Sequence, residues 1–175
     1  MRYMKYKFFL FDIDGVFTDG GLYYTNTSDV IRKFNVQDGL GIRLLMQTEI
    51  KPVIVTGKKS EAVARRMDTL GIELVYQNVR NKLAKIQEIS RQFSVSLDEM
   101  IFMGDDWNDF PVLKKVGCAL TVPASPKEIQ KTCHYVTVKS GGNGAVREAI
   151  EWVLRKENLY ASAVQKFLKH LKNHV

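Results

Sequence analysis

The chain has little of what stapled, modular or membrane-spanning proteins depend on. Its 175 residues hold two cysteines, Cys118 and Cys133, and four prolines. Two cysteines do not make a disulfide framework in a chain of this size, so reduced thiols and a cytoplasmic protein are expected. No apolar run approaches the roughly 18 residues that a membrane-spanning helix needs. The opening MRYMKYKFFLFDID lacks a small-residue cleavage site and runs directly into acidic residues, so a secretory leader is not expected. Zinc-finger spacing, an RNA-binding aromatic motif and basic blocks are missing, as are internal repeats and low-complexity stretches. With 26 Lys and Arg against 19 Asp and Glu, the net charge of +7 reflects either solvated basic helix faces or an anionic partner. In the absence of nucleic-acid motifs, a small phosphorylated acid is the better partner of the two.

What is present is an alternation. Short β-rich runs occur at KFFLFDID (7–14), KPVIVTG (51–57), IELVYQ (72–77), EMIFMGDD (99–106), GCALTV (117–122) and HYVTV (134–138). Helical spacing fills 38–48, 59–70, 80–92 and 108–115, for example Leu83, Ile86 and Ile89 beside Lys82, Lys85 and Glu88. Strands alternating with helices predict right-handed βαβ units and a parallel sheet covered on both faces, which requires runs that are apolar throughout. The expected fold class is α/β, a Rossmann-like parallel sheet flanked by helices in one domain over 1–175. Residues 20–36, GGLYYTNTSDVIRKFNV, break the rhythm as two strands around the turn TNTSD. This hairpin insertion carries Leu22, Tyr23, Tyr24, Val30, Ile31 and Phe34, too greasy to stand alone in water, and is expected to pack against another subunit. The helical tail 157–175 puts Leu159, Ala163, Phe167, Leu168 and Leu171 on one side, for packing on the domain or a neighbour.

In a parallel α/β sheet, sites form where strands end at their carboxyl edge. Those ends carry Asp12 and Asp14, then Thr56 and Gly57, then Asp105, Asp106 and Asp109 within GDDWND, with Lys82 opening the helix after YQNVRN. Taken singly, each has a structural reading: an aspartate at a turn, an N-cap at Asn108 or Asp109, a capping threonine, a solvated lysine. Taken together they converge on one crevice. Clustered carboxylates repel unless a cation holds them, and hard oxygen ligands favour Mg²⁺. Carboxylates, Mg²⁺, a lysine and a hydroxyl are the equipment for phosphoryl transfer, with one carboxylate attacking phosphorus and a second moving protons.

Some motifs mislead. TGKKS looks like part of a P-loop, but the glycine required five residues before Gly57 is Pro52. GGNGAVRE (141–148) is not G-x-G-x-x-G and reads as a loop leading to a helix N-terminus. His134 beside Cys133 reads as an ordinary strand residue rather than a zinc ligand.

The segments DIDGVFTDG, VTG, Lys82 and GDDWND resemble the four motifs of the haloacid dehalogenase-like phosphatases. FNVQDGLGIR, TGKKSEAVARRMDTLGI, YQNVRNK and GGNGAVRE extend the likeness, over about residues 7–155, to the 3-deoxy-D-manno-octulosonate 8-phosphate phosphatase family. This is a capless branch that also contains sialic-type 9-phosphate phosphatases. The resemblance implies Asp12 as nucleophile and metal ligand, Asp14 as acid/base and backbone-carbonyl ligand, and Asp105 as the remaining ligand of Mg²⁺. It puts Asp106 and Asp109 behind them, and Thr56 and Lys82 on the phosphoryl group. Substrate contacts map onto Asp14, Asn35, Val36, Gln37, Asp38, Gly39, Arg43, Lys58, Arg66 and Lys82. It further implies a homotetramer in which hairpins and tails close neighbouring sites, with neither nucleic acid nor membrane as partner. Lys58 departs from the usual arginine, Gln37 from a common arginine and Asn78 from the usual glycine; a lysine keeps charge but loses the bidentate fork. Three activities remain open: phosphatase on the eight-carbon sugar acid, on a nine-carbon sialic-type acid, or a phospho-accepting receiver-like module.

Overall fold

Side-chain alternation in the first strand, β1 (Phe8–Phe11), shows why the runs are continuously apolar. Phe9 and Phe11 pack into one core, Phe8 and Leu10 into another, and all four are buried. The computed structural model describes residues 5–24, 26 and 30–172. After β1 come a two-stranded hairpin, β2 (Tyr23–Tyr24) and β3 (Val30–Ile31), and helix α1 (Val36–Leu45). Then follow β4 (Lys51–Val55), α2 (Glu61–Leu70), β5 (Leu74–Tyr76), α3 (Lys82–Phe93), β6 (Met100–Met103), α4 (Phe110–Leu113), β7 (Cys118–Thr121), α5 (Lys127–Thr132), β8 (Tyr135–Val136), α6 (Ala145–Lys156) and α7 (Tyr160–Lys172). The main sheet has the order β5-β4-β1-β6-β7-β8 with every pairing parallel. Helices α1, α2, α6 and α7 cover the face of Phe9 and Phe11, and α3, α4 and α5 cover the other.

The expected α/β sheet is therefore observed, with all six runs forming strands. The strands are shorter than the runs, because the acidic ends of 7–14 and 99–106 leave the sheet as loops. Helix α5 had no counterpart in the hydrophobic periodicity; it is a six-residue helix with one buried residue, Ile129. Asn78 takes φ 58°, in the left-handed region that asparagine tolerates better than most residues, which accounts for its standing at a usual glycine position. His134 serves the sheet edge, its Nδ1 accepting the Ala119 N–H at 3.0 Å. Both cysteines are free thiols whose pKa burial raises, and among the described residues no helix is long and apolar enough to cross a membrane.

The hairpin forms where the insertion was expected, although most of the turn (Thr25 and Thr27 to Asp29) lies outside the described residues. Phe34 turns inward onto the core instead of joining the exposed set. The tail packs on the domain: Leu159, Phe167 and the buried Ala163 meet the core, and Lys166 Nζ donates to the Gln47 carbonyl at 3.3 Å. Leu168 and Leu171 stay about half exposed.

Two contacts bring the end of the chain back to its beginning. Gly141 packs so tightly on the Gly15 and Thr18 carbonyls that a Cβ there would overlap them, and Gly142 N–H donates to the Val16 carbonyl at 3.2 Å. Glu148, in the first turn of α6, accepts from Val138 N–H at 2.7 Å, Lys139 N–H at 2.9 Å and Tyr135 Oη at 2.8 Å, pinning the loop before it. Burial pushes the Glu148 carboxyl up, but the three donors outweigh it and hold the pKa below its ordinary 4.5. A folded-state pKa below the unfolded one adds stability above pH 4.5 that is lost as pH falls through the folded value. Glu148→Gln should therefore lower unfolding stability by about 1–2 kcal/mol at neutral pH in urea titrations. The gap to the parent should narrow below pH 4.5, whereas a constant gap would mean that the carboxylate charge is not what holds the loop.

Candidate active site

In the order β5-β4-β1-β6 successive strands are added on one side of β1 and then on the other, so the loops after β1 and β6 part and leave a crevice at the carboxyl edge. Register carries Asp12 there: Phe11 lies opposite Met103, and Asp12 N–H donates to the Met103 carbonyl at 3.0 Å. Beyond it, the buried Thr18 hydroxyl accepts from Gly15 N–H and Gly20 N–H, both at 3.3 Å, and rounds off the loop containing Asp14. On the other side of β1, Thr56 follows β4 and is buried, its N–H bonded to the Tyr76 carbonyl and its carbonyl to Val79 N–H, each at 3.0 Å.

Lys82 opens α3. Asn81 caps that helix, its Oδ1 accepting Ala84 N–H at 3.0 Å, so Lys82 takes the first helical position. A cation at a helix N-terminus opposes the helix dipole. Here two carboxylates outweigh that: Lys82 Nζ lies 2.8 Å from Asp12 Oδ2 and 2.6 Å from Asp109 Oδ1. All three side chains are almost wholly buried. Burial alone would push the Lys82 pKa down, but Asp109 and Asp12 more than offset it and hold it above the ordinary lysine value.

Asp109 occupies the N-cap position of α4, yet its side chain caps nothing in that helix. Its second oxygen accepts Asp105 N–H at 3.0 Å. The approach is possible because residue 104 is glycine; a Cβ there would run into the Asp109 carboxylate. Gly104 is itself held by β7, where the buried Thr121 hydroxyl donates to its carbonyl at 2.7 Å. Asp106 instead faces solvent and accepts its neighbour's Trp107 N–H at 2.8 Å.

Asp12, Asp105 and Asp109 each offer a carboxylate oxygen within 4.8 Å of the others, one such cluster among the described residues. Burial, then the neighbouring carboxylates, raise the pKa of both Asp12 and Asp105 to about 7 against the pull of Lys82. Three carboxylates sharing one ammonium leave a surplus of buried negative charge, and hard oxygen donors at this spacing fit a hard divalent cation. The Asp14 carboxylate, expected as acid/base with only its backbone carbonyl on the metal, is held by the hairpin: Arg32 Nε donates to Asp14 Oδ1 at 2.9 Å, and Arg32 Nη1 donates to Ser60 Oγ at 3.0 Å. Sequence reasoning missed Arg32. The only signal was a charged residue directly after a greasy hairpin strand.

The expected substrate contacts divide by place. Asn35 caps α1, its Oδ1 accepting Gln37 N–H at 2.8 Å, and its carbonyl accepts Arg66 Nη2 at 3.3 Å. Val36 and Gln37 are exposed at that helix end, where Gln37 Oε1 meets Lys139 Nζ at 3.3 Å. Gly39 is buried under the Arg66 guanidinium, whose Nε has no hydrogen-bond partner among the described residues. Lys58 is exposed just before α2. Two residues lie apart from this group. Asp38 is buried with Oδ1 accepting Arg147 N–H at 2.8 Å at the N-terminus of α6, and Arg43 sits on the last turn of α1 beside Phe167 of α7.

A model of haloacid dehalogenase-like hydrolases matches residues 72–150, which carry Lys82 and the Asp105–Asp109 loop. The 3-deoxy-D-manno-octulosonate 8-phosphate phosphatase of Escherichia coli K12 is 36% identical over 148 residues, which is 85% of this chain and 79% of the relative. The chain belongs to the family of 3-deoxy-D-manno-octulosonate 8-phosphate phosphatases within that class of hydrolases. Solved structures agree. The enzyme of this name from Yersinia pestis superposes with a TM-score of 0.86 at 33% identity, over 90% of this chain and 85% of that one. The Moraxella catarrhalis enzyme, crystallised in complex with a magnesium ion, a phosphate ion and a KDO molecule, gives 0.89 at 33% identity over 94% of both chains. This membership sets aside the receiver-like alternative.

If the carboxylate cluster takes a divalent cation, Mg²⁺ at about 100 times its Kd should raise the thermal midpoint by about 5 °C or more. Asp105→Asn should erase that gain. An equal rise in both proteins would place the ion elsewhere.

Proposed function

We propose that this protein is a Mg²⁺-dependent phosphatase that releases phosphate from 3-deoxy-D-manno-octulosonate 8-phosphate through an aspartyl-phosphate intermediate. The observation that carries the reading is the meeting of Asp12, Asp105 and Asp109 with the Lys82 ammonium at the mouth of the sheet. The relatives' names and the ligands of the Moraxella structure support the ion and the sugar acid.

In this reading Asp12, Asp105 and the Asp14 backbone carbonyl hold the ion, with Asp109 orienting Asp105 through its backbone N–H. Bound Mg²⁺ supplies positive charge that offsets both the carboxylates and the phosphoryl oxygens. Lys82 and Thr56 hold the phosphoryl group. An oxygen of Asp12 attacks phosphorus, the bond to the sugar oxygen breaks, and Asp14 gives that oxygen a proton. Water then attacks the acyl phosphate, Asp14 takes the proton back, and phosphate leaves. Arg66 and Lys58, on and beside α2, with the Asn35–Gln37 end of α1, supply the basic and polar groups for a substrate bearing both phosphate and carboxylate.

Asp12→Asn should abolish turnover while leaving the far-ultraviolet circular dichroism unchanged; retained activity would move the nucleophile elsewhere. Phosphate release should be compared on the octulosonate 8-phosphate, a sialic-type 9-phosphate and p-nitrophenyl phosphate, with and without Mg²⁺. Preference for the first sustains the substrate, preference for the second replaces it, and equal feeble rates on all three remove any sugar acid as substrate.

The same reading extends to assembly as a homotetramer. Leu22, Tyr23, Tyr24 and Ile31 of the hairpin are each at least half exposed, with Tyr24 at 77%, which is a patch that water does not favour. Sedimentation at micromolar concentration should show the tetramer, and Tyr24→Glu should shift it toward smaller species. A monomeric parent protein would refute the assembly.

A further inference from the structure

The geometry points to Arg32 as a positioning residue: it ties the Asp14 carboxylate to the hairpin and to the N-cap of α2, so that Asp14 can move protons only when the hairpin is in place. The inference rests on the reading of Asp14 as the acid/base.

Arg32 follows β3 directly, on the one element that does not belong to the sheet-and-helix framework. Its side chain is nonetheless 6% exposed, far less than its hairpin neighbours, and it reaches across 18 residues of sequence to Asp14. The planar guanidinium spends two donors on two different elements, Nε on Asp14 Oδ1 at 2.9 Å and Nη1 on Ser60 Oγ at 3.0 Å. Ser60 is fixed in turn: it caps α2 by accepting Val63 N–H at 3.4 Å, and its own N–H donates to Gln77 Oε1 at 2.7 Å beyond β5. Asp14 therefore hangs between its own loop and a rigid helix end, with Arg32 as the strut. A lysine in this place offers a point charge without the fork and can serve one partner well, not both.

The consequence is chemical. With Oδ1 held by the guanidinium, Oδ2 is the oxygen left free to give and take a proton. The proton goes to the leaving oxygen as the phosphorus–oxygen electron pair departs with that oxygen. It returns from the attacking water as the bond between phosphorus and Asp12 breaks. A carboxyl free to rotate spends most of its time out of reach of the leaving oxygen, and general-acid assistance of about 10²-fold or more is at stake. The loss falls hardest on poor leaving groups, because a good one departs without a proton.

The test uses aryl phosphates, which carry no carboxylate for Arg32 to bind. Arg32→Ala should cut kcat/KM for phenyl phosphate by about 10²-fold and for p-nitrophenyl phosphate by about tenfold or less. Arg32→Lys should fall between, and KM should change little. An equal loss on both substrates would reduce Arg32 to a structural prop, and a loss confined to KM for the sugar acid would make it a substrate contact; either overturns the inference. A second readout needs no turnover. Hydrogen exchange at the β2–β3 amides should quicken in Arg32→Ala and, reciprocally, in Asp14→Ala, while the thermal midpoint of the domain is kept. If the parent protein hydrolyses no phosphate ester, the proposed function fails, and unchanged hairpin exchange in both variants would separately refute the strut.

Discussion

Everything at the mouth of the sheet is arranged around one buried ammonium. Lys82 Nζ touches Asp12 and Asp109 at 2.8 and 2.6 Å, where removing the cation would leave two carboxylates unpaired in a region closed to water. Those three residues come from different parts of the chain, the end of β1, the start of α3 and the start of α4. The pair geometry thus fixes how β1 and β6 end relative to each other and where α3 begins. Asp105 is added through a backbone N–H, without a cation of its own, so the set is held together structurally but stays short of positive charge. A site built in this way is strongly folded and electrostatically unfinished, which suits an ion and an anionic substrate arriving together.

The polar arrangement is bought by apolar construction on either side. Strand residues alternate between two cores, so β1, β4, β6 and β7 are buried on both faces and cannot slip by one residue without exchanging the cores. That rigidity sets the loops after β1 and β6 side by side. Gly104 then lets the Asp109 carboxylate approach the backbone, and Thr121 anchors the Gly104 carbonyl from the next strand.

Much of this was legible in the sequence, for an identifiable reason: buried parallel strands write themselves as apolar runs, and their ends as polar clusters. Asp12, Thr56, Asp105 and Asp109 could be gathered from strand ends, and Lys82 from the start of the helix after YQNVRN. What escaped depended on tertiary reach. Arg32 meets Asp14 only because the hairpin folds back over the first loop, and nothing in the spacing of the two residues announces it. Asp38 sits in the NVQDG stretch but is spent on the N-terminus of α6, a helix 109 residues away from it in the pairing with Arg147. Helix α5 left no periodicity to read with Ile129 its lone buried residue, and Phe34, counted with the exposed hairpin, is drawn into the core.

The close seating of Gly141 and Gly142 on the loop after β1 has a consequence for the chain as it is made. In synthesis the acidic loop emerges well before the backbone that clasps it, residues 141–142. Until then β1 has β4 and β6 beside it, but the Phe9 and Phe11 face lacks the cover of α6 and the acidic loop lacks its backing. Such long-range closure delays the backing of the loop until residues 141–142 and α6 have left the ribosome. The clustered carboxylates and Lys82 therefore all precede the segment that backs the loop, and a truncated product ending before residue 141 would carry them without that backing.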